Sequence, residues 1–277
     1  MEWPKLKNII ILILLVVNGF LLVLVGARRE ESVRYERAAL LQTIQVLERG
    51  GIQVDPDTAV PADGLTPLAV ERDLDRESAL AQALLGESAQ GENRGGGLYL
   101  YRGGLGEVSL RAGGELSAQF APDARWRAGK PEDHAAALLE TLGVEAVQTA
   151  LSQGEGETVV RFRQSWNGMP VFSCEVELTY REGYLTALRG VLLTAQAGTA
   201  EPGTPLTLPT ALMRFSEEVG AAGDVCTAIR SMEPGYRGTA QSLSGGARLT
   251  PVWLVSTNTA DYYLDCVAGT LTRVTDQ

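Results

Sequence analysis

The sequence predicts an α+β protein: an N-terminal transmembrane helix followed by antiparallel sheets, each packed by a helix. Three observations lead there. Ile9 to Val25 is an uncharged apolar run. A helix pattern followed by a hairpin pattern recurs three times, starting near Arg76, Pro131 and Leu208. The chain holds 31 glycines and 12 prolines, the composition of short strands joined by turns.

The apolar run comes first. Fifteen of its 17 residues are Ile, Leu, Val or Phe, interrupted by Asn18 and Gly19. Their summed insertion preference is on the order of 7 kcal/mol toward the bilayer. With Gly26 and Ala27 the stretch reaches the roughly 20 residues a spanning helix needs. A signal peptide cut after Val25-Gly26-Ala27 is the competing reading, but its apolar core is usually about 7–15 residues. The length favours an uncleaved anchor. Lys5 and Lys7 precede the run and Arg28, Arg29, Arg34 and Arg37 follow it, so charge counting leaves orientation open.

Arg28 to Arg49 continues as a helix, with Val33, Leu40, Ile44 and Leu47 near one face and Gly50-Gly51 at its end. From Lys5 to Arg49 the rod is about 67 Å long at 1.5 Å per residue. Its stripe is read either as a short coiled-coil seam with a partner or, preferred because the heptad pattern is brief, as packing on its own domain. Asp55 to Thr66 is a polar connection, and Arg76 to Leu85 a short helix buried through Leu80, Leu84 and Leu85. Glu87 to Gly97 reads as a Gly-rich loop. It lacks the Lys and Ser/Thr of a phosphate loop. Strands are expected at Leu98 to Tyr101, Glu107 to Arg111 and Leu116 to Phe120.

Lys130 to Leu142 is a helix with Pro131 in its first turn, followed by acidic Glu132 and Asp133. A hairpin follows, Val160 to Arg163 against Phe172 to Tyr180. The alternation predicts a three-residue loop, Trp166-Asn167-Gly168, pairing Phe162 with Phe172 and Val160 with Cys174. A strand runs from Tyr184 to Leu193, and Ala195 to Pro205 reads as a linker. Leu208 to Val219 is the next helix. Cys226 to Glu233, Leu249 to Thr257, Asp261 to Val267 and Thr270 to Val274 are strands. The chain divides into 1–27 (tip and transmembrane helix), 28–51 (membrane-proximal helix), 52–129 (α+β subdomain), 130–196 and 197–277 (helix-hairpin units).

Charge and composition exclude several functions. A formal net charge of −10, with three lysines and no basic run, argues against nucleic-acid binding. Cys174, Cys226 and Cys266 are far apart and lack metal-ligand spacing. They fit three buried thiols, or one disulfide plus a thiol. The single histidine, His134, is read as exposed and idle, because the adjacent Asp133 does not face it on a helix. No H-E-x-x-H, G-x-S-x-G, C-x-x-C or dinucleotide fingerprint occurs. Glu175 and Glu177 are read as strand charges facing Arg161 and Arg163. Asp261 and Asp265 are read as turn residues, and Trp253, Tyr262 and Tyr263 as core and sheet packing. No enzyme constellation, cofactor, metal or small-molecule substrate is expected.

The opening Met1-Glu2-Trp3-Pro4-Lys5, with Lys7-Asn8-Ile9 and an immediate apolar span, resembles that of YycI-type regulatory proteins of Gram-positive bacteria. Gln164, Gly168, Pro170, Val171 and Phe172 fit the family's Q-x-x-x-G-x-P-[IV]-F pattern. Pro234-Gly235-Tyr236, Leu249-Thr250-Pro251-Val252-Trp253 and Asp261-Tyr262-Tyr263-Leu264-Asp265 are also similar. The likeness is thin between Gly51 and Gly129. It implies a single-pass cell-membrane protein with an extracellular C-terminal domain. Such proteins act with a YycH-like sister protein on the WalK/YycG sensor histidine kinase that governs cell-wall metabolism. The helix-hairpin units resemble PepSY-type modules, which implies a second reading: an anchored inhibitor or binding module for an extracellular peptidase. Within the span, Asn18 and Gly19 are the candidate contacts with a partner helix, since small and polar residues favour helix association in lipid.

Overall fold

The computed structural model describes residues 3–121, 129–195, 198–241 and 246–275, with side chains in the first helix described at 11, 13–21 and from 34 onward. The elements in chain order are α1 (Trp3–Arg49), β1 (Gln53–Val54), a 3-10 turn (Pro56–Thr58), β2 (Leu68–Val70), α2 (Leu74–Leu85), β3 (Gln90–Gly95), β4 (Leu98–Gly103), β5 (Gly106–Arg111) and β6 (Glu115–Phe120). They continue as α3 (Pro131–Thr141), β7 (Ala146–Gly154), β8 (Glu157–Trp166), β9 (Met169–Arg181), β10 (Tyr184–Val191) and β11 (Gly198–Ala200). The chain closes with α4 (Leu208–Ala222), β12 (Ala228–Ala240), β13 (Ala247–Thr257), β14 (Asp261–Asp265) and β15 (Leu271–Arg273). The class is α+β, as the sequence predicts.

The recurring unit is larger than a helix and a hairpin. Three times a helix is followed by four strands that pair in sequence: α2 with β3–β6, α3 with β7–β10, and α4 with β12–β15. The first two units fuse through their last strands. β6 pairs with β10 antiparallel, Leu188 opposite Ala118, giving one eight-stranded sheet in the order β7-β8-β9-β10-β6-β5-β4-β3. Leu80, Leu84 and Leu85 of α2 and Ala135, Leu138 and Leu139 of α3 share one core against Val108, Leu110, Val160, Phe162, Leu178 and Leu188. Each helix thus buries one stripe on one face of the sheet, the arrangement that removes most apolar surface from water.

The third unit has its own core. Leu212, Phe215 and Val219 of α4 pack on Met232, Trp253, Val255, Tyr262 and Leu264. The last turns of α1 join them: Ile44 and Leu47 are buried there and Leu40 packs against the cluster. The expected stripe therefore packs on its own domain at these positions. Val33 lies outside the residues whose side chains are described. The helix ends at Arg49, and Gly51 takes a left-handed φ of 90° as the chain turns back to bond Ile52 N–H to Leu47 O.

Four sequence expectations about strands and turns need correction. Glu87 to Gly97 is not a loop throughout, because Gln90–Gly95 forms edge strand β3 on β4. Ala195 to Pro205 is not all linker, since Gly198–Ala200 pairs with β2. β2 and β7 had no expectation at all. The β8–β9 turn is two residues long: Trp166 pairs with Met169, and Asn167 and Gly168 both have positive φ, 50° and 77°. That is the mirror-image turn favoured between twisted strands. Beyond it, register jumps between Arg163 and Ser165, so Phe162 faces Val176 and not Phe172. The jump has a tertiary cause. Between Pro170 and Glu175, β9 leaves β8 and reaches β12, where Val171 pairs in parallel with Tyr236 and Ser173 Oγ accepts from Gly238 N–H at 2.8 Å.

The transmembrane helix is a separate expectation. The Ile9 to Val25 run is helical throughout. Among the described residues no helix is long and apolar enough to cross a membrane. Side chains at 9, 10, 12 and 22–25 of the run lie outside the described set.

Candidate functional site

A helix rich in Ile, Leu and Val hides those side chains only if something packs on them. On α1 nothing described does. Ile11, Ile13, Leu14, Leu15, Val16, Val17, Phe20 and Leu21 are between 48 % and 66 % exposed. Asn18 and Gly19 are exposed in the same stretch, and a Cβ on Gly19 would meet nothing within 4 Å. Among the described residues no other element reaches either candidate contact. Isolated surface apolar residues need no explanation, but a contiguous band of this kind marks a surface meant for lipid or for another protein.

The other sequence candidates resolve into structural roles. Glu175 and Glu177 stand directly opposite Arg163 and Arg161 across β8 and β9, the latter pair 2.9 Å apart. Asp265 Oδ1 accepts from the N–H of Val267 at 2.7 Å and of Ala268 at 2.8 Å, which is turn chemistry. Trp253 and Tyr262 are buried. The Trp253 indole N–H donates to Val60 O at 2.9 Å, and the Tyr262 hydroxyl to Asp224 Oδ2 at 2.7 Å. Tyr263 is half-buried, with its ring 5.9 Å from that of Phe172 and the Arg237 guanidinium 5.3 Å from its centre. Cys174 and Cys266 are buried, Cys226 is half-buried, and all three are free. Burial pushes the Cys174 thiol up to about 11 and raises the other two, so none presents a thiolate. Among the described residues no three His, Cys, Asp or Glu are grouped to hold a metal ion.

His134 is not exposed and idle. Its Nδ1 lies 2.8 Å from the Tyr180 hydroxyl, and the rings meet edge-on at 5.7 Å. Desolvation lowers the His134 pKa and raises that of Tyr180. At neutral pH the imidazole is neutral beside a protonated phenol.

Two buried polar groupings escaped the sequence reading. Arg72 Nε and Nη2 donate to the two carboxylate oxygens of Glu77 at 2.7 and 2.8 Å, and Arg72 Nη1 donates to Gly97 O at 2.6 Å. Both side chains are under 10 % exposed. The guanidinium also lies 5.2 Å from the Tyr99 ring centre. The ion pair borders a cavity of about 20 Å³, room for one water, shared with Thr194 and Gly246. The second grouping joins Gln164 to the backbone of Leu193. One signal for the first was present: Glu77 occupies the apolar stripe of α2, three residues before Leu80.

No family model matches the chain, and no curated protein matches it significantly. Two solved structures are similar in shape. An uncharacterized protein from Eubacterium rectale aligns over 81 % of this chain and 91 % of its own, with a TM-score of 0.49 and 12 % identity. The Bacillus megaterium YpeB C-terminal domain aligns over 75 % of this chain and 100 % of its own, with a TM-score of 0.38 and 12 % identity. The fold stands on the pairing described above, and neither likeness extends to function.

Proposed function

We propose that the chain is a membrane-anchored extracytoplasmic regulator of the YycI type, working by contact and not by catalysis. Its partners on this reading are a YycH-like sister protein and the transmembrane region of a sensor histidine kinase controlling cell-wall metabolism. The observation that carries the reading is the exposed apolar band from Ile11 to Leu21, on a helix that runs unbroken into a domain seated at Ile44 and Leu47. A band of that composition is stable in hydrocarbon and unstable in water.

The test is a pull-down of the tagged full-length chain from detergent-solubilised membranes, read by mass spectrometry. Recovery of a histidine kinase with a sister protein of similar size supports the proposal. Recovery of the chain from the soluble fraction of lysed cells would overturn it. The second reading, a PepSY-like module restraining an extracellular peptidase, draws on the helix-on-sheet unit repeated three times. Recovery of a peptidase in place of the kinase decides for it.

A further inference from the structure

The two edges of the eight-stranded sheet differ. β3, with sequence Gln-Gly-Glu-Asn-Arg-Gly, carries Glu92 and Arg94, paired at 2.9 Å, so charge guards that edge. β7 spans nine residues with no charge and no proline. Its one partner is β8, and among the described residues nothing pairs with its other edge. Val147 and Leu151 are exposed on it, at 64 % and 42 %. Cross-strand partners share a face, so Leu151, opposite Val160, stands on the side covered by α3.

A cleft of about 510 Å³ opens at the same edge, between the flank of α3 and the start of β7. Leu139, Val144 and Phe162 are its buried floor, and Glu140 and Glu145 its exposed rim. Among the described residues neither carboxylate is paired with a cation. The C-terminal, negative end of α3 lies beside them.

We propose that β7 takes an extended peptide segment of another protein as an added strand, with a Lys or Arg of that segment seated in the cleft. Main-chain pairing along an open edge supplies affinity, and pockets for alternate side chains supply selectivity. A basic side chain fits because its aliphatic stem lies on Leu139 and Phe162 while its head meets Glu140 and Glu145. A second copy of the chain is a poorer occupant. Each copy carries the net charge of −10 and the same two rim carboxylates, which repel.

The test pans a phage-displayed random heptapeptide library against the full-length chain in detergent micelles, then measures enriched peptides by fluorescence anisotropy. Enriched sequences should carry Lys or Arg between β-branched residues. Their affinity should fall about tenfold for the exposed-rim variant Glu140→Gln/Glu145→Gln. Leu151→Lys should weaken them as well, and N-methylation of alternate peptide residues should abolish binding. Circular dichroism of both variants confirms the fold. Failure to enrich any peptide overturns the proposal, as does enrichment of sequences without a basic residue or equal binding to the rim variant. Sedimentation showing a dimer that Leu151→Lys dissociates would assign the edge to a second copy and also overturn it.

Discussion

Gln164 pairs with Leu193 as a strand residue would. Its Nε2 donates to Leu193 O at 3.0 Å, and its Oε1 accepts from Leu193 N–H at 2.9 Å. Both residues are buried. The amide stands where β9 has left β8 for β12, so it satisfies backbone groups that the departing strand leaves behind.

Gln164→Leu keeps the volume and removes both bonds. Leaving a buried N–H and a buried carbonyl unpaired should cost about 2–4 kcal/mol. Urea unfolding with an unchanged slope checks it. A loss below the error of the measurement would mean that water replaces the amide.

The Arg72–Glu77 pair should show the asymmetry of buried charges. Glu77→Ala strands a guanidinium and should destabilise by about 3–5 kcal/mol. Replacing both residues together, Arg72→Met with Glu77→Leu, should recover most of that loss. Thermal unfolding of the two variants beside the parent decides it. Equal losses would show that Arg72 matters through its bonds to Gly97 O and the Tyr99 ring.

His134 should make the fold sensitive to mild acid. Its folded pKa lies below the usual value near 6.5 because burial disfavours the charged ring. The unfolded chain therefore binds the proton first, and stability is lost as pH falls from about 6.5 through the lowered folded value. Above that window the contribution is fully present. Unfolding midpoints at pH 7 and pH 5 should differ less in His134→Gln than in the parent.

Asn18→Leu should lower co-purification of the partner by about threefold, in line with the worth of one interhelical polar contact in lipid. Leu is at least as good a helix former and raises apolarity, so insertion itself should be undisturbed. Recovery equal to the parent removes Asn18 as a contact.

The helices and most strands were legible because their patterns are local. Leu80, Leu84 and Leu85, or Leu212, Phe215 and Val219, announce one buried face at helical spacing. What failed is what depends on distant partners. The alternation from Phe172 to Tyr180 is real, but its register against Phe162 is set by Val171 pairing with Tyr236. β7 showed no alternation because its residues, Val147 to Gly154, are exposed on both faces. The Arg72–Glu77 pair joins a loop to a helix, and its further partners Gly97 and Leu110 lie far along the chain. Asn18 and Gly19 stand out in the sequence as breaks in the apolar run, and both are exposed on α1.

The seat of α1 settles where a disturbance of that rod is delivered. Its last turns rest on α4, β1 and the 3-10 turn, in the core of the third unit. A tilt or twist imposed at its far tip loads the third unit first. The β9–β12 crossing, together with the β2–β13 pairing that leads into Arg72 and α2, then carries that load to the fused pair of units.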